Sequence, residues 1–419
     1  MNVAVVAVGT RGDVEPHMAL SAGLAARGHR VKLVAPVDFQ ERARALGFAF
    51  HPIRVAFHDL YGTHAGAALL ASDGRMFHFI RHLRRVVTEV AHQVIADIRE
   101  ACRGSEGICY SLLGLPAHYV ARDAGVPAVA TSLQPLGRTR SFPSPLYRPG
   151  HWMPGSANLA THVVAEQAFW QLCRPLLKAA LRTALPRWGH FDALYRGPTP
   201  TLFAFSPSVV PRPDDYRPWM HVTGFWSLPL NGWQPPGPLQ DFLESGPPPV
   251  CVGFGSMNSA RMDAVIPGVL KGIAGAGHRA ILLKGWWDNR IDLGALGDDV
   301  YVADAVPHAW LFPRVAAAIH HGGAGTVAAA LKAGVPSVVA PFFFDQWFWG
   351  RTLHRLKLGP EPIPFRRLSP RRVQDALEQA GRSTAMRESL RTLSSRLAVE
   401  DGVGAAVAVL EEAWSGRGN

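Results

Sequence analysis

The run Val3-Ala4-Val5-Val6-Ala7-Val8, closed by Gly9, contains no polar position. An unbroken β-branched and apolar run belongs to a strand buried on both faces, and such strands occur in parallel sheets covered by helices on each side. This strand is therefore expected near a sheet centre. After the loop Gly9–Glu15, Pro16 opens a helical period that buries Met18, Leu20 and Leu24 and stops at Gly28. Val31–Ala35 reads as a second strand, Asp38 caps a short helix to Leu46, and Phe48–Ile53 reads as a third strand. This β-α-β-α-β rhythm predicts a doubly wound sheet, whose ligands bind beyond the carboxyl ends of the strands.

The rhythm then loosens. Between positions 55 and 100, Phe77, Phe79, Ile80, Leu83, Val86, Val87 and Val90 fall at helical spacing beside Arg81, Arg84 and Arg85. Gly107–Ser111, a Pro116–Asp123 helix and Val126–Thr131 resume the alternation, and 134–190, rich in Pro, Trp, Arg and Phe, reads as an insertion over the first sheet with helices around Ala160–Leu185. Seven prolines, from Pro229 to Pro249, mark a stiff connector. A second series follows: strands at Val250–Phe254, Ala280–Lys284, Val300–Val302, Ala316–His320 and Ser337–Ala340, with a helix at Asp263–Ala274. Since one core stops growing near about 250–300 residues, a chain of 419 residues is expected to hold two Rossmann-like α/β domains facing each other across a cleft. The boundaries are 1–226, a Pro-rich linker 227–249, 250–398, and a C-terminal helix 399–419 that could pack back on the first domain.

Composition removes several classes. With 48% hydrophobic residues, intrinsic disorder is excluded as the main state. The net charge of +11 meets the charge criterion for nucleic-acid binding, but only six residues are Lys, so the excess is Arg and is equally the mark of an Arg-rich composition. Cys102, Cys109, Cys173 and Cys251 have no C-x-x-C spacing, which points to reduced thiols and a cytoplasmic chain. Met1–Val8 lacks the cationic start of a signal peptide, and no apolar run reaches the length of a membrane span. Arg174, Lys178, Arg182 and Arg187 alternate with Leu176, Leu177, Leu181 and Leu185. That pattern fits a helix resting peripherally on an anionic membrane and also an ordinary solvated helix face.

The strongest local signal lies at Ala316–Thr326, where a strand runs into His320-His321-Gly322-Gly323-Ala324-Gly325-Thr326 and then a helix. A glycine-rich turn at a helix start presents free N–H groups and the positive end of the helix dipole, which bind phosphate. The spacing is neither G-x-G-x-x-G nor a Walker lysine loop, which disfavours nicotinamide dinucleotides and ATP hydrolysis; a turn serving close packing alone stays open. Gly253-Phe254-Gly255-Ser256-Met257-Asn258 repeats the logic, with Ser256 as a hydroxyl donor.

Five motifs in order resemble the nucleotide-sugar-dependent glycosyltransferases of the two-Rossmann-domain (GT-B) fold, in the branch of the sterol glucosyltransferases and antibiotic glycosyltransferases. They are Gly9-Thr10-Arg11-Gly12-Asp13-Val14-Glu15-Pro16, Thr223-Gly224-Phe225-Trp226, Gly253 to Met257, Pro307 to Arg314 with His320 to Thr326, and Pro341 to Gly350. The resemblance implies that His321 and the turn Gly322, Gly323, Ala324, Gly325, Thr326 cradle the donor diphosphate. Gly255 and Ser256, together with Thr10, Arg11 and Gly12 of the amino-terminal motif, would complete the donor contacts. It further implies base recognition around Val306 and His308, sugar hydroxyls on Asp345 and Gln346, and Asp13 as the catalytic base.

The chemistry at Asp13 is intelligible from its residue type. An acceptor hydroxyl must lose a proton as it attacks the anomeric carbon, and a loop carboxylate can take it. Attack opposite the leaving nucleotide inverts configuration. Many relatives use His there, oriented by an Asp on a later strand; Ile108-Cys109-Tyr110-Ser111 carries no carboxylate, and a carboxylate base needs no tautomer-fixing partner. The departing diphosphate would be stabilised by the His321 loop. No D-x-D tripeptide occurs, and no metal and no cofactor are expected beyond a UDP- or dTDP-sugar as co-substrate. Ala329 and Ala305 stand where plant-type members have a ribose-binding acid and a uracil-stacking Trp, which leaves UDP and dTDP both open. Phe344 and Trp347 flank the sugar-binding pair and would bear on sugar preference. Phe57, Phe77, Trp152, Phe169, Trp170 and Trp188 are candidates for an apolar acceptor pocket or for ordinary core.

The expected activity is inverting transfer of a hexose, glucose from UDP-glucose first, to a hydroxyl of a sterol, polyketide or other lipophilic natural product. The alternatives are a dTDP-deoxysugar-dependent antibiotic glycosyltransferase, a nucleotide-sugar epimerase, and a catalytically silent homologue acting as a helper subunit. Nucleic acid is not an expected partner.

Overall fold

The computed structural model describes residues 1–55, 90–147, 153–181, 185, 187, 200–230, 232–255, 257, 261–285 and 297–415. Phe57, Phe77 and the rest of the basic and apolar stretch before Val90, Trp152, Arg182, Trp188, Ser256 and Asn258 lie outside them, as does the Leu176 side chain. The chain divides into two compact units, Met1–Leu228 with Asp401–Asn419, and Pro229–Glu400.

The first unit is built on a parallel sheet of seven strands: β1 (Asn2–Val6), β2 (Arg30–Pro36), β3 (Ala49–Ile53), β4 (Gly107–Tyr110), β5 (Ala128–Ser132), β6 (Thr201–Phe203) and β7 (Met220–Val222). Their order is β3-β2-β1-β4-β5-β6-β7, so β1 is internal, and Ala4, Val5 and Val6 are fully buried. Strand order reverses between β1 and β4. A doubly wound sheet opens its ligand crevice at such a reversal, and the loop leaving β1 lies there.

Helix α1 spans Arg11–Ala26, so the expected loop to Glu15 is helical and Pro16 is interior rather than initial. Thr10 starts the helix because the Asp13 carboxylate accepts its N–H at 2.9 Å, closing the amino-terminal turn before Pro16 is reached. Next come α2 (Gln40–Ala45), a helical stretch over 90–101, α3 (Pro116–Ala124) and the long α4 (Gly155–Leu181). Trp170, Leu177, Leu181 and the following Leu185 are buried in one cluster with Ala4, Val6 and Tyr110, and Phe169 packs against it. The apolar side of the basic segment is therefore spent on the sheet, as for any amphipathic helix covering a core. Trp170 is core rather than acceptor lining, and the Leu177, Leu181 and Leu185 side chains are spent on the sheet. Among the described residues, no helix is long and apolar enough to cross a membrane.

The expected connector is also corrected. Within 227–249 lies α5 (Gly237–Glu244), with Pro238 in its first turn, where proline costs no hydrogen bond. Leu239 is fully buried beside Cys251, Ile281 and Leu311, and Arg279 ties the segment down by donating to Phe242 O (2.6 Å) and Pro247 O (2.7 Å). The segment is part of the second unit. That unit carries a five-stranded parallel sheet of β8 (Val250–Gly253), β9 (Ala280–Leu283), β10 (Val300–Ala303), β11 (Ala317–His320) and β12 (Ser337–Val339). Its order β10-β9-β8-β11-β12 reverses between β8 and β11. The helices are α6 (Met262–Gly275), α7 (His308–Leu311), α8 (Ala324–Ala333), α9 (Gln346–Arg355), α10 (Pro370–Arg382) and α11 (Thr384–Ala398). The last helix, α12 (Gly402–Ser415), belongs to the first unit: Val403 meets Gly23 of α1, and Glu411 pairs with Arg27 at 2.9 Å and His29 at 3.2 Å.

Candidate active site

In the first unit the candidate chemistry sits at the β1–β4 reversal. Gly9 leaves β1 with φ +140°, and any Cβ there would overlap the Asp13 carboxylate, so the loop carries glycine because the carboxylate lies across it. Asp13 Oδ2 accepts from the Thr10 N–H (2.9 Å) and the Thr10 hydroxyl (3.2 Å). Burial pushes the Asp13 pKa up, and the two bonds from Thr10 oppose this. A carboxylate so raised is a stronger proton acceptor than a solvated one. Arg11 points instead to Glu15 (2.8 Å), which Arg42 also meets at 2.7 Å, and Gly12 is exposed.

Sequence reading missed His17. One helical turn after Asp13 and 1% exposed, it places Nδ1 2.6 Å from Asp13 O and Nε2 2.7 Å from Thr131 Oγ1 of β5. The Asp-x-x-x-His spacing within α1 was a usable signal. Its partner on β5 was not.

In the second unit the loops after β8 and β11 meet at the other reversal. His320 Nδ1 accepts the Gly322 N–H at 3.1 Å. The His321 ring lies against Gly323, where a Cβ would stand 2.5 Å from Nε2, and near Gly255, where one would stand 3.4 Å from Cε1. His321 Nδ1 is buried without a hydrogen-bond partner among the described residues. Burial pulls the pKa of His17 and of His321 down to about 4, so both rings are neutral at physiological pH. Gly323 caps α8; Ala324, Gly325 and Thr326 form its first turn, with Gly325 exposed. The N–H groups of that turn have no intrahelical acceptor, and the dipole adds positive potential.

The remaining residues fall around this turn with different roles. Helix α7 packs on α8. Its first residue, His308, stacks on Phe312 at 4.6 Å, and the Val306 side chain is buried, which leaves its backbone as the part able to meet a base. Trp310 is engaged by Trp233 (5.0 Å) and by Arg314 (4.2 Å). Ala329 packs against the core below α8. Asp345 precedes α9 and accepts from Trp349 Nε1 at 3.2 Å. The Gln346 side chain faces inward, Oε1 accepting from Phe342 N (2.8 Å) and Phe343 N (3.3 Å) while Nε2 meets Met257 Sδ at 3.3 Å. It ties the Pro341–Asp345 loop to the loop after β8, an organising role, where a sugar ligand would need the amide turned outward.

The neutral histidines make a testable pH statement. In the unfolded chain they bind protons near pH 6.5, whereas the folded rings resist to about 4, so their contribution to stability is present above 6.5 and lost as pH falls towards 4. Long-range ¹H–¹⁵N spectra are expected to hold His17 and His321 neutral from pH 8 to 5; a midpoint near 6.5 for either contradicts the burial argument.

Residues 3–110 match the glycosyltransferase family 28 N-terminal domain, and residues 278–404 match the erythromycin biosynthesis protein CIII-like C-terminal domain. A sterol 3-beta-glucosyltransferase of Aspergillus fumigatus is 31% identical over 97% of this chain, and one of Cryptococcus neoformans is 30% identical over 97%. The chain spans 29% and 27% of the length of those two fungal proteins. Among solved structures, the spinosyn forosaminyltransferase SpnP aligns with a TM-score of 0.70 at 17% identity, covering 99% of each chain. The glycosyltransferase VinC, solved in complex with dTDP, aligns with a TM-score of 0.68 at 18% identity, covering 99% of this chain and 100% of its own. With strands ordered alike in both sheets and full-length likeness to solved glycosyltransferases, the chain has the GT-B fold; its residues 3–110 are similar to a family 28 glycosyltransferase amino-terminal domain and its residues 278–404 to an erythromycin CIII-like carboxyl-terminal domain.

Proposed function

We propose that this chain is an inverting glycosyltransferase that moves a hexose, glucose from UDP-glucose first, to a hydroxyl of a lipophilic acceptor such as a sterol or polyketide. The observation that carries the reading is the α8 start: a glycine-rich helix amino-terminus beside a neutral histidine whose buried Nδ1 has no hydrogen-bond partner among the described residues. Such a terminus suits a diphosphate and stabilises the charge it gains on departure without calling on a metal. Asp13, with its pKa raised by burial, takes the acceptor proton. Asp345, and Gln346 with its amide turned outward, would meet the sugar hydroxyls. The choice of glucose and of a sterol-like acceptor draws on the fungal relatives' activity. A dTDP-deoxysugar is the second reading, favoured by the dTDP complex of VinC.

The test is a thermal-shift panel of UDP-, dTDP- and GDP-sugars, followed by transfer assays on sterol and polyketide acceptors. The true donor stabilises the chain by about 2.7 kcal/mol at a hundredfold excess over its Kd. His321→Ala is expected to raise that Kd roughly tenfold or more, the scale of one lost hydrogen bond to a charged group. Unchanged affinity by calorimetry refutes the cradle, and no response to any nucleotide sugar refutes the function.

A further inference from the structure

Asp13 stands in a helical turn that its own sequence weakens. Pro16 lies inside α1, and a proline there offers no N–H to the Gly12 carbonyl while its ring crowds that group. The next carbonyl, that of Asp13, is met by the His17 ring at 2.6 Å. The same ring reaches Thr131 Oγ1 at 2.7 Å and is packed edge-on by Trp226, with centroids 5.7 Å apart. At 1% exposure the ring is closed off from solvent. A neutral imidazole has a single N–H. Were it on Nε2, the Nδ1 lone pair would face a carbonyl oxygen at 2.6 Å; with it on Nδ1, that contact is a hydrogen bond and Nε2 accepts from the Thr131 hydroxyl. The second assignment leaves Thr131 Oγ1 and Tyr110 O, 3.0 Å apart, without a proton between them, a longer and cheaper conflict.

We propose that His17 is a positioning residue for the base: its Nδ1–H fixes the Asp13 carbonyl, and its Nε2 ties the turn to Thr131, so that β5 sets where the Asp13 carboxylate stands. The inference rests on the reading of Asp13 as the base. It separates the histidine of this site from proton transfer and gives it a hold on the turn next to the one that Pro16 weakens.

The test uses the full chain and measures kcat and KM for donor and acceptor together with melting temperature. His17→Phe keeps a ring of similar size and removes both contacts; kcat is expected to fall about 10- to 100-fold, the cost of misplacing a reacting group by a fraction of an ångström to an ångström, with the donor KM unchanged. His17→Asn sets an amide N–H near the Nδ1 position and should recover most of the loss, whereas His17→Gln, which reaches towards Thr131 alone, should not. In an Asp13→Asn background, His17→Phe should cost nothing further. Unchanged kcat in His17→Phe overturns the proposal, as does a loss that tracks melting temperature equally across the three variants. If His17→Phe does not fold, Thr131→Val decides: a fall in kcat at constant donor KM supports the tether, and an unchanged kcat removes it. A fully active Asp13→Asn enzyme would instead overturn the base assignment itself, an outcome readable apart from the His17 series.

Discussion

Asp13→Asn lowers kcat for glycosyl transfer by about 10²- to 10⁴-fold, the usual contribution of a general base, and leaves nucleotide-sugar affinity close to that of the parent. The substitution keeps the shape of the side chain, and an amide oxygen can still accept the Thr10 N–H that Oδ2 accepts at 2.9 Å, so α1 should start where it does now. What is lost is basicity. Burial raises the Asp13 pKa and therefore its capacity to draw a proton from an alcohol as the C–O bond forms. Steady-state kinetics with saturating donor, beside calorimetry of the donor alone, separates the two quantities. A variant with full turnover takes Asp13 out of the mechanism.

Gly322→Ala is expected to damage both the fold of the second unit and its hold on the nucleotide. Gly322 has φ +93°, a conformation that costs a residue with a side chain about 1–3 kcal/mol. The added Cβ would also stand 2.7 Å from Val339 Cγ1 and 3.0 Å from the backbone oxygen of Gln346, and backbone does not swing aside. The turn must shift, taking with it the N–H groups at the α8 start. Lower melting temperature together with weaker nucleotide binding is the expected pair of results. Gly325→Ala is the control: a Cβ there meets nothing within 4 Å, so stability should hold. Nucleotide affinity in that variant then reports how closely the ligand approaches the backbone. A Gly322→Ala protein as stable as the parent would mean that the turn is not held where it is described.

The strands were legible because a parallel sheet buries both faces, which leaves continuous apolar runs such as Val3–Val8 and Ala317–Ile319. The candidate loops were legible because glycine is required wherever backbone and ligand or backbone and carboxylate come close, as at Gly9 and Gly322. Local signals failed where two of them competed. Pro16 was read as a helix start, yet the Thr10–Asp13 bond sets the start earlier. Proline density hid α5, although a proline in the first helical turn is a favourable opening. The other misses needed contacts that no window of sequence contains. His17 acquires its meaning from Thr131, 114 positions away, and Gln346 from Met257, 89 positions away. Leu177 and Leu181 of α4 fit a membrane-facing or a solvated helix equally until the sheet beneath them is in place.

The return of α12 to α1 has a consequence for biosynthesis. The helix that carries Asp13, Arg11–Ala26, is made before the second unit, while the helix that packs on it, with Val403 against Gly23 and Glu411 on Arg27 and His29, leaves the ribosome only after the whole second unit has been made. The second unit, continuous from Pro229 to Glu400, can close as it emerges. Of the two units, the one whose synthesis begins earlier is completed later.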